Sequence, residues 1–269
     1  MPNSNTYRHV QGLTRGLAVL CELNKLSSGV ASAVELARAT GLHRSTVKRL
    51  LETLSATGFV HPAEDGNHYR LSFRVQQLSA GFRDETGACT AAAPALRRLT
   101  QKILWPSDLV TREEERMVIR FSTHSFSPLS FHPGTVGDHT PLLPTATGRA
   151  YLAFCPDDER ELLLEMMALR DDRYGEMARD TRTLRRVLQT TRERGFGAND
   201  GEWTRQPGFG ALAAPVLHQG RVVACFNVIF SLKALSMALA IKRYGADVLA
   251  TAREIESSFA AARTVGVPS

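Results

Sequence analysis

The sequence predicts an α+β protein in two parts: a small helical domain ending in a hairpin, then a linker helix, then a larger α/β domain. Three observations point there. Residues 8–72 carry helix-period apolar stripes followed by a strand–turn–strand signal. Residues 73–87 carry one apolar seam and then shift to small and polar residues. Residues 88–265 alternate helical and strand patterns.

The elements follow in order. "LTRGLAVLCELNKL" sets Leu13, Gly16, Leu17, Leu20 and Leu23 on one helical face, with Thr14 as the expected cap, and "SSG" at Ser27–Gly29 ends it. "AVELARAT" is a short second helix broken by Gly41. A third helix runs from about Arg44 to Ala56 and stops at Gly58. "FVHPAEDGNHYRLS" turns at Asp65-Gly66-Asn67 and reads as a hairpin. In the linker, Leu71, Val75, Leu78 and Phe82 recur at three- and four-residue steps.

Beyond "RDETGACTAAAP", the segment "TAAAPALRRLTQKI" is helical. "SDLVT" and "RMVIRFSTH" are strands around an acidic turn. "GTVGDHTPLLPTA" is loop-rich. "TGRAYLAF", "DERELLLEMMAL" and "TRTLRRVLQTTRERG" are helices. "GALAAPVLHQGRVVACFNVIF" is a hairpin turning at Gln219-Gly220. A long helix closes the chain through Leu235, Leu239, Val248, Leu249, Ala252, Ile255 and Phe259.

Hydrophobic content of 43% and charged content of 22% suit a soluble globular protein. No apolar run approaches the roughly 20 residues that span a bilayer, and the N-terminus has no signal-peptide core. A cytoplasmic protein with no membrane partner is expected. Cys21, Cys89, Cys155 and Cys225 lie far apart, which predicts buried reduced thiols and no structural zinc.

The net charge of +6 is compatible with a polyanionic partner. Its distribution says more: from Leu36 to Leu51 the only charges are Arg38, Arg44, Lys48 and Arg49. A helix-turn-helix needs a small residue where its helices touch, glycine in the turn, and an apolar residue inside the second helix. Ala37, Gly41 and Val47 supply these in order. Arginine pairs bidentately with guanine, while serine and threonine serve bases or phosphates. The expected contacts to double-stranded operator DNA are therefore Arg44, Ser45, Thr46, Lys48 and Arg49, with Arg15 on a phosphate and Asn67 and His68 at the wing tip. An amphipathic helix pair with a solvated charged face is the plainer alternative. The hairpin that follows and the missing acids favour DNA.

Arg15-Gly16-Leu17, Leu20, Leu36-Ala37, "GLHRSTVKRLLETLSATGFV" and "YRLS" together resemble the IclR-type bacterial transcription regulators. So do "PLLPTATGRAYLAF" and "ALAAPVLHQGRVVACFNV". The resemblance spans nearly the whole chain. It implies an N-terminal winged helix-turn-helix, a C-terminal GAF-like α/β effector-binding domain, and a homodimer or homotetramer. "WPSDLVT", "RFSTHSFSPLSFH" and "GRAYLAFCPDDERELLL" resemble the subfamily that activates 3-(3-hydroxyphenyl)propionate catabolism. That implies an activator of an aromatic-acid operon, acting on DNA geometry or on RNA polymerase. A repressor answering a different small acid, or a C-terminal domain that only oligomerises, remains the alternative.

The family's effector positions carry over to Ala146 and Thr147, to Glu202, Ala211 and Asn227. Thr145 to Gly148 precede a helix, so their amides and hydroxyls suit an anionic group. Several relatives have small hydroxyl residues where this chain has Asn227 and Ile229, and that departure argues against a very small keto acid as the ligand. Trp203, Phe209 and Phe226 are placed to flank an aromatic ring. Arg120 and His124 are candidate partners for a carboxylate or phenol, with alternation putting Arg120 and Ser122 on one face and Phe121 and Thr123 on the other. Each has a plainer role: an exposed arginine for Arg120, a core aromatic for Trp203, a helix cap for Thr147 and Gly148.

Other signals fail. "GFGALA" fits a relaxed G-x-G-x-x-A, but it runs into a strand, so no dinucleotide cofactor is expected. No nucleophile elbow or H-E-x-x-H is present, and an enzyme acting on a small carbonyl has no catalytic constellation behind it. His124, His132 and His139 lack the spacing of metal ligands. Asp157, Asp158 and Glu159 begin a helix, where their charge suits the dipole.

Overall fold

The computed structural model describes residues 9–26, 28–78, 87–130 and 136–265. The chain divides into two compact units, residues 1–83 and 84–269.

The first unit starts with α1 (Gln11–Lys25). Thr14 does not cap it: the helix starts earlier, because the Val10 carbonyl already accepts from the Leu13 and Thr14 amides. A short strand β1 (Val30–Ser32) leads into α2 (Ala33–Thr40). Ser32 caps α2 through a capping box, since its hydroxyl accepts from the Glu35 amide at 3.3 Å and the Glu35 carboxylate accepts from the Ser32 amide at 2.8 Å. Gly41 ends α2 at φ +69°, a left-handed turn that a side chain would strain. Then come α3 (Arg44–Ala56), β2 (Val60–Pro62) and β3 (His68–Leu71), with the sheet ordered β1-β3-β2. Val19, Leu23, Ala31, Leu36, Val47, Leu51 and Val60 form the fully enclosed centre.

Of the linker, α4 (Arg74–Gln77) is described. Leu71 belongs to β3, Val75 packs on the core, Leu78 is exposed, and Phe82 lies outside the described residues.

The second unit is an antiparallel six-stranded sheet between two helical layers, ordered β6-β5-β4-β9-β8-β7. Its elements are α5 (Ala88–Ile103), β4 (Asp108–Glu113), β5 (Arg116–Ser122), β6 (His139–Pro141), α6 (Ala146–Phe154), α7 (Asp157–Ala168), α8 (Arg173–Arg179), α9 (Thr181–Arg194), β7 (Gly197–Asp200), β8 (Phe209–His218), β9 (Arg221–Ser231) and α10 (Met237–Val265). Strand alternation splits the core. On β9, Phe226, Val228 and Phe230 face α5 and α10, while Cys225 and Ile229 face α6. The β8–β9 hairpin turns at Gln219-Gly220, both at positive φ, as its sequence predicts.

"GFGALA" runs into β8. The thiols depart in part from expectation: Cys155 and Cys225 are buried, Cys89 is partly covered and Cys21 is exposed. Burial pushes the Cys225 and Cys155 thiols up, which keeps them protonated. No described helix is long and apolar enough to cross a membrane.

Candidate nucleic-acid interface and ligand site

Helix α3 is pinned by Val47 and Leu51 and turns its other side outward. Arg44, Ser45, Lys48 and Arg49 are exposed and Thr46 is half-buried, so the expected contacts share one helix end. The cap is His43, a residue sequence reasoning passed over. Its Nδ1 accepts from the Ser45 amide at 3.4 Å and lies 2.8 Å from the Ser45 hydroxyl. Ser45 thus helps fix the helix start as well as facing outward. Arg15 is exposed on α1.

The wing differs from expectation at its tip. Asp65 accepts from the Asn67 and His68 amides at 3.0 Å each, and its other oxygen meets the His68 ring. These bonds hold the Asp65 carboxyl below its ordinary range. With Glu64 beside it the tip is acidic, which disfavours a phosphate. Arg70 on β3 pairs across from His61, and both are exposed. The alternation of "HYRL" could have marked Arg70 as outward-facing.

In the second unit, α6 lies against β7, β8 and β9. Thr145 caps it: the hydroxyl accepts from the Gly148 amide at 3.2 Å and donates to the Pro141 carbonyl at 2.7 Å. The first turn of a helix leaves amides without internal acceptors, and here those belong to the buried Ala146 and Thr147. Gly148 allows close approach, because a Cβ there would sit 2.0 Å from the Leu142 carbonyl oxygen.

Arg149 anchors this turn, and sequence reasoning missed it. Only 9% of its side chain is exposed; Nε donates to the Leu143 carbonyl at 3.0 Å, and Nη1 to the Ala198 carbonyl at 2.7 Å and to Glu202 at 2.8 Å. Glu202 is therefore committed to Arg149 and also accepts from the Asp200 amide. Trp203 is half-buried beside it, with its Nε1 enclosed and without a hydrogen-bond partner among the described residues.

Ala211 and Asn227 share the α6 side of the sheet with Ala213, Cys225 and Ile229. The Asn227 Oδ1 accepts from the Asp108 amide at 2.8 Å. His124 lies in a 3-10 turn at His124–Phe126 beyond β5, not in the strand. It is buried, with Nδ1 2.7 Å from the Ser130 hydroxyl and Nε2 3.7 Å from Asp108 Oδ2.

Arg120 departs from the group. A bulge makes it the extra residue opposite Leu109 and Val110, which breaks the expected alternation with Ser122. Its guanidinium bonds Thr111 at 2.7 Å and meets Glu113. Those residues share the face of Leu109, under α5 and α10, away from α6. Phe226 likewise faces α5 and α10 and cannot flank a ligand beside α6. Phe209 is half-buried at the start of β8. His139 sits exposed on β6, and His132 lies outside the described residues. Among the described residues no three His, Cys, Asp or Glu side chains gather as metal ligands.

Residues 12–63 match the IclR helix-turn-helix domain, and residues 84–257 match the bacterial transcriptional regulator IclR C-terminal domain. The chain belongs to the IclR family. Its members are DNA-binding transcriptional regulators, not enzymes. The chain is 29% identical over 77% of its length, and 80% of the relative's, to the probable transcriptional regulator SauR of Cupriavidus necator. It is 25% identical over 94% of its length, and 92% of the relative's, to the transcriptional repressor IclR of Escherichia coli. An IclR homolog from Microbacterium hydrocarbonoxydans, solved with 4-hydroxybenzoate, shares the fold with a TM-score of 0.62, 21% identity, and 93% and 99% coverage of the two chains. The two-unit α+β architecture is thus that of the IclR regulators.

Proposed function

We propose that this chain regulates an operon for breakdown of an aromatic acid of the 3-(3-hydroxyphenyl)propionate type, and that it acts as an activator. The carrying observation is the partly buried set of polar and apolar groups beside α6. It combines the amides of Ala146 and Thr147, the Thr145–Gly148 cap, Trp203, and Asn227 with Ala211 on the sheet. This set presents donors for a carboxylate at one end and an apolar sheet face for a ring. The Microbacterium homolog's 4-hydroxybenzoate supports an aromatic acid as the ligand class. Arg44, Ser45, Thr46, Lys48 and Arg49 contact the operator, and Arg15 a phosphate. Arg120, turned to the other face, takes no part in binding the acid.

The chain works as a homodimer or homotetramer, one α3 per half-site. Val10, Leu13 and Leu17, 70%, 63% and 51% exposed along one side of α1, support self-association of the first unit. Acid binding changes the geometry of the paired DNA-binding units or their contact with RNA polymerase. The test is calorimetry of the full chain against phenylpropanoid and benzoic acids, with transcription from the target promoter measured in parallel. Binding with raised transcription is expected; no heat with any acid ends the sensor reading. A second reading, repression relieved by the acid, is favoured by the E. coli relative, a repressor. A rise in basal transcription on deleting the gene selects it.

A further inference from the structure

One buried carboxyl oxygen on the α6 side of the sheet lacks a hydrogen bond among the described residues. Asp108 opens β4, and only 4% of its side chain is exposed. Its Oδ1 has no hydrogen-bond partner among the described residues. Its Oδ2 lies 3.7 Å from the His124 ring, within ion-pair range but beyond a hydrogen bond. Folded proteins rarely bury an acceptor without giving it a donor.

We propose that Asp108 accepts a hydrogen bond from a hydroxyl on the bound acid, making the protein a sensor of hydroxylated acids. The proposal rests on the sensor reading above and deepens it. The register supplies the geometry. Gly197 pairs with Ala213, Ala213 with Asn227, and Asn227 receives the Asp108 amide, so the four lie in one row across the sheet. At one end of the row Gly197 is pressed beneath the Ala146 carbonyl, where a Cβ would stand 2.3 Å from the oxygen. At the other end is the Asp108 carboxyl. Three strand spacings make the row up to ~14 Å long.

The ends are chemically opposite. Near α6 stand donors: the Ala146 and Thr147 amides and the unused Nε1 of Trp203. At β4 stands an unused acceptor. Between them run Ala211, Ala213 and Ile229, which offer carbon to a ring. A carboxylate at the first end and an O–H at the second match this polarity, whereas a keto acid of a few carbons spans too little of it.

The experiment is isothermal calorimetry on the full chain with two matched pairs: 3-(3-hydroxyphenyl)propionate against 3-phenylpropionate, and 4-hydroxybenzoate against benzoate. We expect the wild type to prefer a hydroxylated member by about tenfold or more. Asp108→Ala should collapse that preference to roughly threefold or less while the parent acid binds as before. Binding of the parent acid also shows that the variant is folded. Should Asp108→Ala fail to fold, Asp108→Asn, similar in shape but a weaker acceptor, is expected to lower the preference in the same direction. Equal wild-type affinity within both pairs, or undiminished preference in the folded variant, overturns the role of Asp108 and leaves the sensor reading standing. No heat with either pair overturns both.

Discussion

Arg149→Ala removes a guanidinium that closes the α6 turn, and its cost can be worked from the contacts. Two carbonyls, those of Leu143 and Ala198, lose charge-assisted donors at 3.0 and 2.7 Å. Each orphaned acceptor costs about 1–2 kcal/mol. The pair with Glu202 adds little, because 40% of the Glu202 side chain meets solvent and water screens the attraction. The sum is roughly 2–4 kcal/mol, which for a domain of this size lowers Tm by about 2–4 °C per kcal/mol, or ~6–12 °C near the middle of the range. Differential scanning calorimetry of wild type, Arg149→Ala and Arg149→Lys reads this directly. Lysine can reach one carbonyl at a time, so Arg149→Lys should recover less than half the loss. The same variants should lose aromatic-acid binding, since the Ala146–Thr147 amides are no longer held. A Tm shift below ~2 °C with unchanged acid affinity would refute Arg149 as the anchor.

Other outcomes follow from the same structure. Arg49→Ala and Lys48→Ala should each weaken operator binding and flatten the salt dependence by about one unit of slope, measured by gel shift at several salt concentrations. An unchanged slope removes that residue from the phosphate contacts. Gly148→Ala should abolish stable folding of the second unit, because its methyl would overlap the Leu142 carbonyl; a normal melting curve would contradict the close approach. Ser32→Ala removes the capping box of α2 and should cost about 1 kcal/mol in urea unfolding of the first unit. Asp172 gives a pH signature. Its carboxyl, held by Arg170 and the Gly175 amide, falls from 3.8 to about 2. A depressed carboxylate stabilises the fold above its unfolded pKa and loses that contribution as pH falls toward its folded one. The stability gap between wild type and Asp172→Asn should therefore be present at neutral pH and shrink between pH 3.8 and about 2; a constant gap would refute it.

The recognition helix was legible because its signals are local. A 3.6-residue apolar stripe through Val47 and Leu51, the left-handed Gly41 and the small Ala37 all act within a few residues. β1 was not legible: three residues become a strand only by pairing with β3, which is remote in sequence. β7 is four small or polar residues whose burial comes from the neighbouring strand and α6. α8 is too short for a period, though the Asp172 cap, accepting from the Tyr174 and Gly175 amides, was a signal in "DDRYGEM". In the proposed ligand site, the helix start at Thr145–Gly148 could be read from the chain. The burial of Arg149 and Asp108 could not, since a charged residue looks exposed until tertiary packing encloses it. The placing of Arg120 with Ser122 on one face failed for a related reason: one bulge in β5 parts the two, and alternation cannot register it.

The claim at the centre is a coupling between an acid held in the second unit and an operator held by the first. Fluorescence anisotropy of the full chain on promoter DNA, with and without saturating 3-(3-hydroxyphenyl)propionate, measures it. We expect a change in operator Kd of roughly 5–150-fold, the usual size of such coupling. Identical operator affinity and unchanged promoter output, with calorimetry showing the acid bound, would contradict it.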